Sequence, residues 1–109
     1  MSVTYLDKIL ARHREMAAAD RRSVDSLIDD SKAMPPTRGF RAALAGAAKL
    51  GVVSEIKRRS PSKGDLNIGM DPAEWAQLYE AGGASCLSVL TDVDGFGGSV
   101  EDLQEARSA

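Results

Sequence analysis

A parallel α/β arrangement preceded by a helical stretch is what three features of this 109-residue chain predict. Two runs rich in β-branched and apolar residues, Val52 to Lys57 and Ser85 to Thr91, read as strands. Each leads through a loop into a segment with the capping residues of a helix start. Everything ahead of Gly51 reads as helix. With 43% hydrophobic and 28% charged residues and a formal net charge of -2, the chain has the profile of one soluble globular domain.

The helical part begins with Leu6, Ile9, Leu10, Met16 and Ala17 at helical spacing, behind a cap formed by Thr4 and Asp7. This predicts an amphipathic helix running to about Asp20. A second helical patch, Val24, Leu27 and Ile28, follows Ser23 as its cap and ends before Pro35 and Pro36, which mark a linker. The alanine-rich segment around Phe40 and Leu44 predicts a short helix, with Gly51 closing the approach to the first strand.

Beyond that strand, the connection from Arg58 to Met70 exceeds the roughly 2–6 residues usual between a strand and the following helix, and loops of that length are commonly functional. Asp71, Pro72 and Glu74 then supply a cap, a first-turn proline and a carboxylate at the third position. Trp75, Leu78 and Tyr79 share a face of the predicted helix, and Gly82 and Gly83 stop it. After the second strand come the glycine-rich loop "DVDGFGG" and a last helix capped by Ser99 with Asp102. Strands alternating with helices imply parallel pairing by right-handed crossovers, in either an open doubly wound sheet or a closed barrel. Two strands complete neither, since a barrel of eight units takes about 250 residues. The expectation is a truncated protein.

Alternation places Val53, Glu55 and Lys57 on one face of the first strand and Val52, Ser54 and Ile56 on the other. Both charges thus lie side by side at the strand's carboxyl end, where parallel α/β folds bind ligands. Two readings stay open: the mouth of an active site, or an ion pair at a solvated strand end. Arg58, Arg59, Lys63, two hydroxyls and Gly64 make the next loop suited to anionic groups on a ligand, although a solvated basic turn has the same composition. Neither a Walker A loop nor G-x-G-x-x-G after a strand is present, so nucleotide binding has no support.

The segment Val52, Val53, Ser54, Glu55, Ile56, Lys57, Arg58, Arg59, Ser60, Pro61, Ser62 and Leu66 resembles, without a gap, the signature of the indole-3-glycerol-phosphate synthase family. "YLDKIL" is similar to that family's first helix, "YEAGGASCLSVLTD" to its second barrel strand with the preceding turn, and "FGGSVEDLQEAR" to the loop and helix after it. The resemblance implies an α/β fold that is the N-terminal portion of a (β/α)8 TIM barrel. Residues 51–109 would form its first two βα units and residues 1–50 a helical extension over the active-site mouth. It implies a carboxy-lyase of tryptophan biosynthesis that closes the ring of 1-(2-carboxyphenylamino)-1-deoxyribulose 5-phosphate with loss of carbon dioxide and water, using no metal or organic cofactor. Lys57 would contact the anionic substrate and assist catalysis, and Glu55 would hold neighbouring catalytic groups. Ser60 would bind substrate from the first loop, and Phe96 would line the pocket for the anthranilate ring. Gly97 departs from the polar residue common at its position. The family's third-strand lysine, fourth-strand glutamate and phosphate loops would all lie beyond Ala109, so the fragment alone is expected to be inactive.

The remaining features have plain readings. His13 lacks partners at metal-ligand spacing and reads as structural, Cys86 as a small core residue, and Trp75 with Tyr79 as helix-to-sheet packing. Charges at Asp20 to Arg22 and at Asp29, Asp30 and Lys32 read as solvated helix faces and ends. The lone cysteine and the absence of a secretory signal pattern point to a reducing cytoplasm. Scattered cations argue against nucleic acid, and no apolar run approaches the roughly 18 residues of a membrane span. The competing expectation is a non-catalytic binding or assembly module that pairs its open strand edges with a partner.

Overall fold

The computed structural model describes residues 2–109. They form two compact units, the first ending at Arg38 and the second beginning at Gly39.

The first unit holds helices α1 (Tyr5–Ala19) and α2 (Val24–Lys32). Thr4 caps α1 reciprocally: its hydroxyl accepts the Asp7 N–H at 3.1 Å while the Asp7 carboxylate accepts the Thr4 N–H at 2.9 Å. Ser23 caps α2 by accepting from the Ser26 N–H. Between the helices Arg22 pairs with Asp20 at 2.6 Å, and within α2 Lys32 pairs with Asp29 at 3.0 Å. These are the surface ion pairs expected of solvated helix ends.

The second unit runs α3 (Phe40–Ala45), β1 (Val53–Ile56), β2 (Arg59–Ser60), β3 (Gly64–Asp65), α4 (Pro72–Ala81), β4 (Cys86–Val89), α5 (Val93–Phe96) and α6 (Val100–Ser108). As anticipated, β1 and β4 pair in parallel, with Val53 opposite Cys86 and Glu55 opposite Ser88. Both strands are shorter than the apolar runs that announced them, because pairing stops at Ile56 and Val89 and leaves Lys57 just past the strand end.

One face of this pair carries the core. Ile56 is only 1% exposed and packs with Met70, Ala76 and Ala106, while Trp75, Tyr79, Leu87 and Val89 complete the cluster. Helix α4 lies against both β1 and α6, and α6 against β4, so the two helices cover the same side of the sheet. Its buried stripe is Pro72 with Ala76 and Trp75 with Tyr79, each pair spaced by four residues. Leu78, expected on that face, is 60% exposed, because the turn that points positions 75 and 79 inward carries position 78 outward. Trp75 and Tyr79 meet edge to face, ring centroids 5.7 Å apart. Cys86 is half-buried, its thiol 3.5 Å from the Phe40 carbonyl.

Two loops are more structured than their composition suggests. The stretch from Arg58 to Met70 folds back as an antiparallel hairpin, β2 pairing with β3. Within "DVDGFGG", Asp92 caps a single helical turn by accepting the Gly95 N–H at 2.7 Å, and Gly97 ends it at φ 64°. Gly98 is buried where a Cβ would collide with the Leu90 carbonyl, so the loop can fold against the strand end only through glycine.

Among the described residues no strand adjoins either outer edge of the two-stranded sheet, and Val53 on the face away from the core is 44% exposed. Such edges and faces promote association. The purified 11.6 kDa chain is therefore expected to elute as oligomers or to precipitate at micromolar concentration. A monodisperse monomer in light scattering would contradict this.

Candidate functional site

The face of β1 opposite the core bears the two charges. Glu55 and Lys57 form an ion pair at 3.2 Å between Oε1 and Nζ, with side chains 43% and 34% exposed. The parallel register brings Ser88 beside Glu55, and its hydroxyl donates to the second carboxylate oxygen at 3.2 Å. Glu55 is thereby held from both strands. An accessible pair of this kind contributes little to stability, at most about 1 kcal/mol. The ammonium of Lys57 remains reachable from solvent at the carboxyl end of the sheet.

The backbone beneath the pair is anchored from the helix side. Tyr79 donates from its hydroxyl to the Glu55 carbonyl at 3.0 Å. Arg58, one residue past Lys57, points to the opposite face by alternation and fills the seam between loop and helices. Its Nε and Nη2 grip Asp102 of α6 at 2.8 and 2.9 Å, and Nη1 donates to the carbonyls of Ile68 and Met70 at 2.6 and 2.8 Å. The Arg58 carbonyl in turn accepts the N–H groups of Leu66 and Asn67, both at 2.8 Å. These bonds hold the Asp102 carboxyl below its ordinary 3.8, with the Arg58 hydrogen bonds as the largest cause. They also raise the guanidinium further above its already high value.

Arg59 is committed as well. Its Nη2 donates to the carbonyls of Val93 and Asp94 at 3.3 and 2.6 Å, bridging the first loop to the second. Gly97 makes room for this, since a Cβ there would lie 3.3 Å from the Arg59 stem. Both arginines of the basic loop are thus engaged by protein groups, an arrangement that differs from both readings its composition left open, the ligand-facing loop and the solvated turn. Lys63 remains exposed at the hairpin tip.

Ser60, at the end of β2, accepts the Lys63 N–H at 3.1 Å and so shapes the hairpin turn through Pro61. Phe96 closes α5, is half-buried and belongs to the turn that packs against β2. Glu55, Lys57, Ser60 and Phe96 therefore all belong to the carboxyl ends of β1 and β4 or to the loops that leave them. Asp102, Tyr79 and Ser88 were absent from the candidates, and Arg58 was among them only as a cation of the loop, not as a clamp on the helices. Alternation along the strand could have found Arg58, but its partner depends on a contact 44 residues away that composition does not record.

Among the described residues, no three His, Cys, Asp or Glu side chains gather where they could hold a metal ion, and no helix is long and apolar enough to cross a membrane.

Comparison with known proteins gives a consistent result. The family model for indole-3-glycerol phosphate synthase matches residues 6–109. Among curated relatives, the indole-3-glycerol phosphate synthase of Hyphomonas neptunium is 46% identical over 111 residues, covering 97% of this chain and 42% of its own length. That of Acinetobacter baumannii is 48% identical over 107 residues, covering 96% and 40%. That of Rhodopirellula baltica is 41% identical over 109 residues, covering 98% and 42%. The chain spans about two fifths of the length of the relatives it matches.

The Arg58–Asp102 pair, with side chains 17% and 11% exposed, yields a prediction. Removing one partner of a largely buried pair typically costs about 3–5 kcal/mol. Asp102→Ala should lower the urea midpoint by the corresponding amount, followed at low protein concentration by fluorescence of the single tryptophan, Trp75. Because the folded carboxyl titrates below the unfolded one, the pair's contribution is complete above pH 3.8 and fades as pH falls from there through the folded value. The difference between wild type and variant should therefore be constant from pH 7 to 5 and shrink below pH 4.

Proposed function

The chain belongs to the indole-3-glycerol phosphate synthase family, and from that membership we propose that it supplies the first two βα units of such a synthase's TIM barrel. Residues 1–50, with helices α1, α2 and α3, would serve as its N-terminal extension. The activity proposed for the complete barrel is decarboxylating, dehydrating ring closure of 1-(2-carboxyphenylamino)-1-deoxyribulose 5-phosphate, a step of tryptophan biosynthesis in the cytoplasm. The observation that carries this reading is the paired Glu55 and Lys57 at the carboxyl end of the parallel sheet, beneath two loops that rise from the same end.

In this reading each residue has a role suited to its surroundings. The reaction requires proton donation at the substrate carbonyl, removal of the resulting hydroxyl, and cations opposite the carboxylate and phosphate. Lys57 would offer its ammonium to the anionic substrate and assist proton transfer. Glu55, braced by Ser88, would keep that ammonium aimed away from the helices. Ser60 would bind substrate from the hairpin, and Phe96 would line the pocket for the anthranilate ring. With Arg58 and Arg59 engaged by protein groups, the main phosphate grip would fall to groups other than these two arginines.

Joining residues 1–109 to the remaining C-terminal part of the Hyphomonas neptunium synthase tests the proposal. The hybrid is expected to turn over the substrate and the 109-residue chain alone to be inactive. Turnover by the isolated chain, or a folded hybrid without activity, would overturn it. In the hybrid, Lys57→Ala should lower kcat/KM by about a hundredfold or more. Its unfolding free energy should change by less than about 0.5 kcal/mol, as for a surface substitution. A purely structural loss would identify Glu55 and Lys57 as an ion pair and nothing more.

A further inference from the structure

We infer that Asp102 is a positioning residue for this site: through its two-pronged pair with Arg58 it fixes the loop carrying Ser60 against the helix that follows the loop carrying Phe96. The inference rests on the proposed reading for its catalytic meaning, whereas the latch itself stands on geometry alone.

Arg58 has no spare reach. Its side chain holds Asp102 by two bonds at 2.8 and 2.9 Å and draws the far end of its own loop inward through the carbonyls of Ile68 and Met70. Its main-chain carbonyl receives the amides of Leu66 and Asn67 from the returning arm of the hairpin. One residue thus ties the hairpin at both ends, and Asp102 ties that residue to α6. Asp102 is the third residue of α6, its N–H bound to the capping Ser99 hydroxyl at 3.1 Å. Displacing it would shift the helix start into which the Phe96 loop runs. Neither partner is within the Glu55–Lys57 pair's bonding set; both lie on the helix side, nearly out of solvent. Arg58 is covalently next to Lys57, so clamping its side chain to the helices also sets the direction in which the preceding ammonium leaves the strand.

A latch of this kind differs from a general fold contact in what it restrains. Hydrogen exchange of the 109-residue chain at low concentration separates the two. Asp102→Asn and Arg58→Lys should each speed exchange of the Leu66 and Asn67 amides by about tenfold or more, beside the increase at α4 and β4 that follows from lower global stability. Glu101→Gln, on the exposed side of the same helix, should leave all of them unchanged. In the hybrid synthase, Asp102→Asn should lower kcat/KM by about tenfold or more, chiefly through KM, because the loops it restrains bind rather than react. Asp102→Glu, which keeps the carboxylate, should recover most of the loss. Unchanged exchange at Leu66 and Asn67 in both variants, with faster exchange confined to α4 and β4, would overturn the latch. An inactive wild-type hybrid would instead count against the synthase reading and leave the exchange result to decide the latch.

Discussion

Helices α4 and α6 take the same side of the β1–β4 pair, and this division of the sheet into a covered face and an open one governs the rest of the second unit. Ile56 and its neighbours on the covered face supply nearly all the burial in the unit. The open face escapes the need to be apolar. A carboxylate and an ammonium can occupy it because each keeps partial solvent contact and finds a partner, Lys57 for one carboxylate oxygen and Ser88 for the other. The same alternation that gives Ile56 to the core therefore gives Glu55 and Lys57 to the open face, and the next residue, Arg58, back to the helix side.

That return explains how a basic loop can be rich in cations and still offer few of them to a ligand. Guanidinium groups suit this use because their fork satisfies carboxylate and carbonyl oxygens in fixed directions. Arg58 ties the hairpin to α6, and Arg59 ties it to the turn after β4, with Gly97 leaving the space that the arginine stem occupies. The two loops above the strand ends are thus joined to each other by one arginine and to the helical layer by another. Ser60 and Phe96 belong to a connected assembly, which is what a binding site built on loops requires if its geometry is to be reproducible.

Much of this was legible in the residues. Caps at Thr4, Ser23, Asp71 and Ser99 announced four helices because a short side-chain acceptor and the N–H groups it serves are neighbours in sequence. The parallel pair followed from strands alternating with helices. The hairpin within the first loop and the single turn at Val93–Phe96 were not legible, since each is a few residues long and depends on contacts from other segments. Glu55, Lys57, Ser60 and Phe96 were named from a motif and are found at one end of the sheet. Their supports were missed for a common reason: Asp102 and Ser88 matter by spatial adjacency to residues more than thirty positions earlier, and spacing along the chain carries no trace of it.

The Tyr79 hydroxyl has a consequence of its own. Val52 and Ile56 direct their carbonyls toward β4, so the Glu55 carbonyl between them faces the opposite margin of the sheet. There it already accepts a hydrogen bond from the Tyr79 hydroxyl. A carbonyl has a second lone pair, so this margin keeps the capacity to accept one more hydrogen bond there. The side chain that completes the packing of one helix thereby also occupies one lone pair on the sheet's open margin.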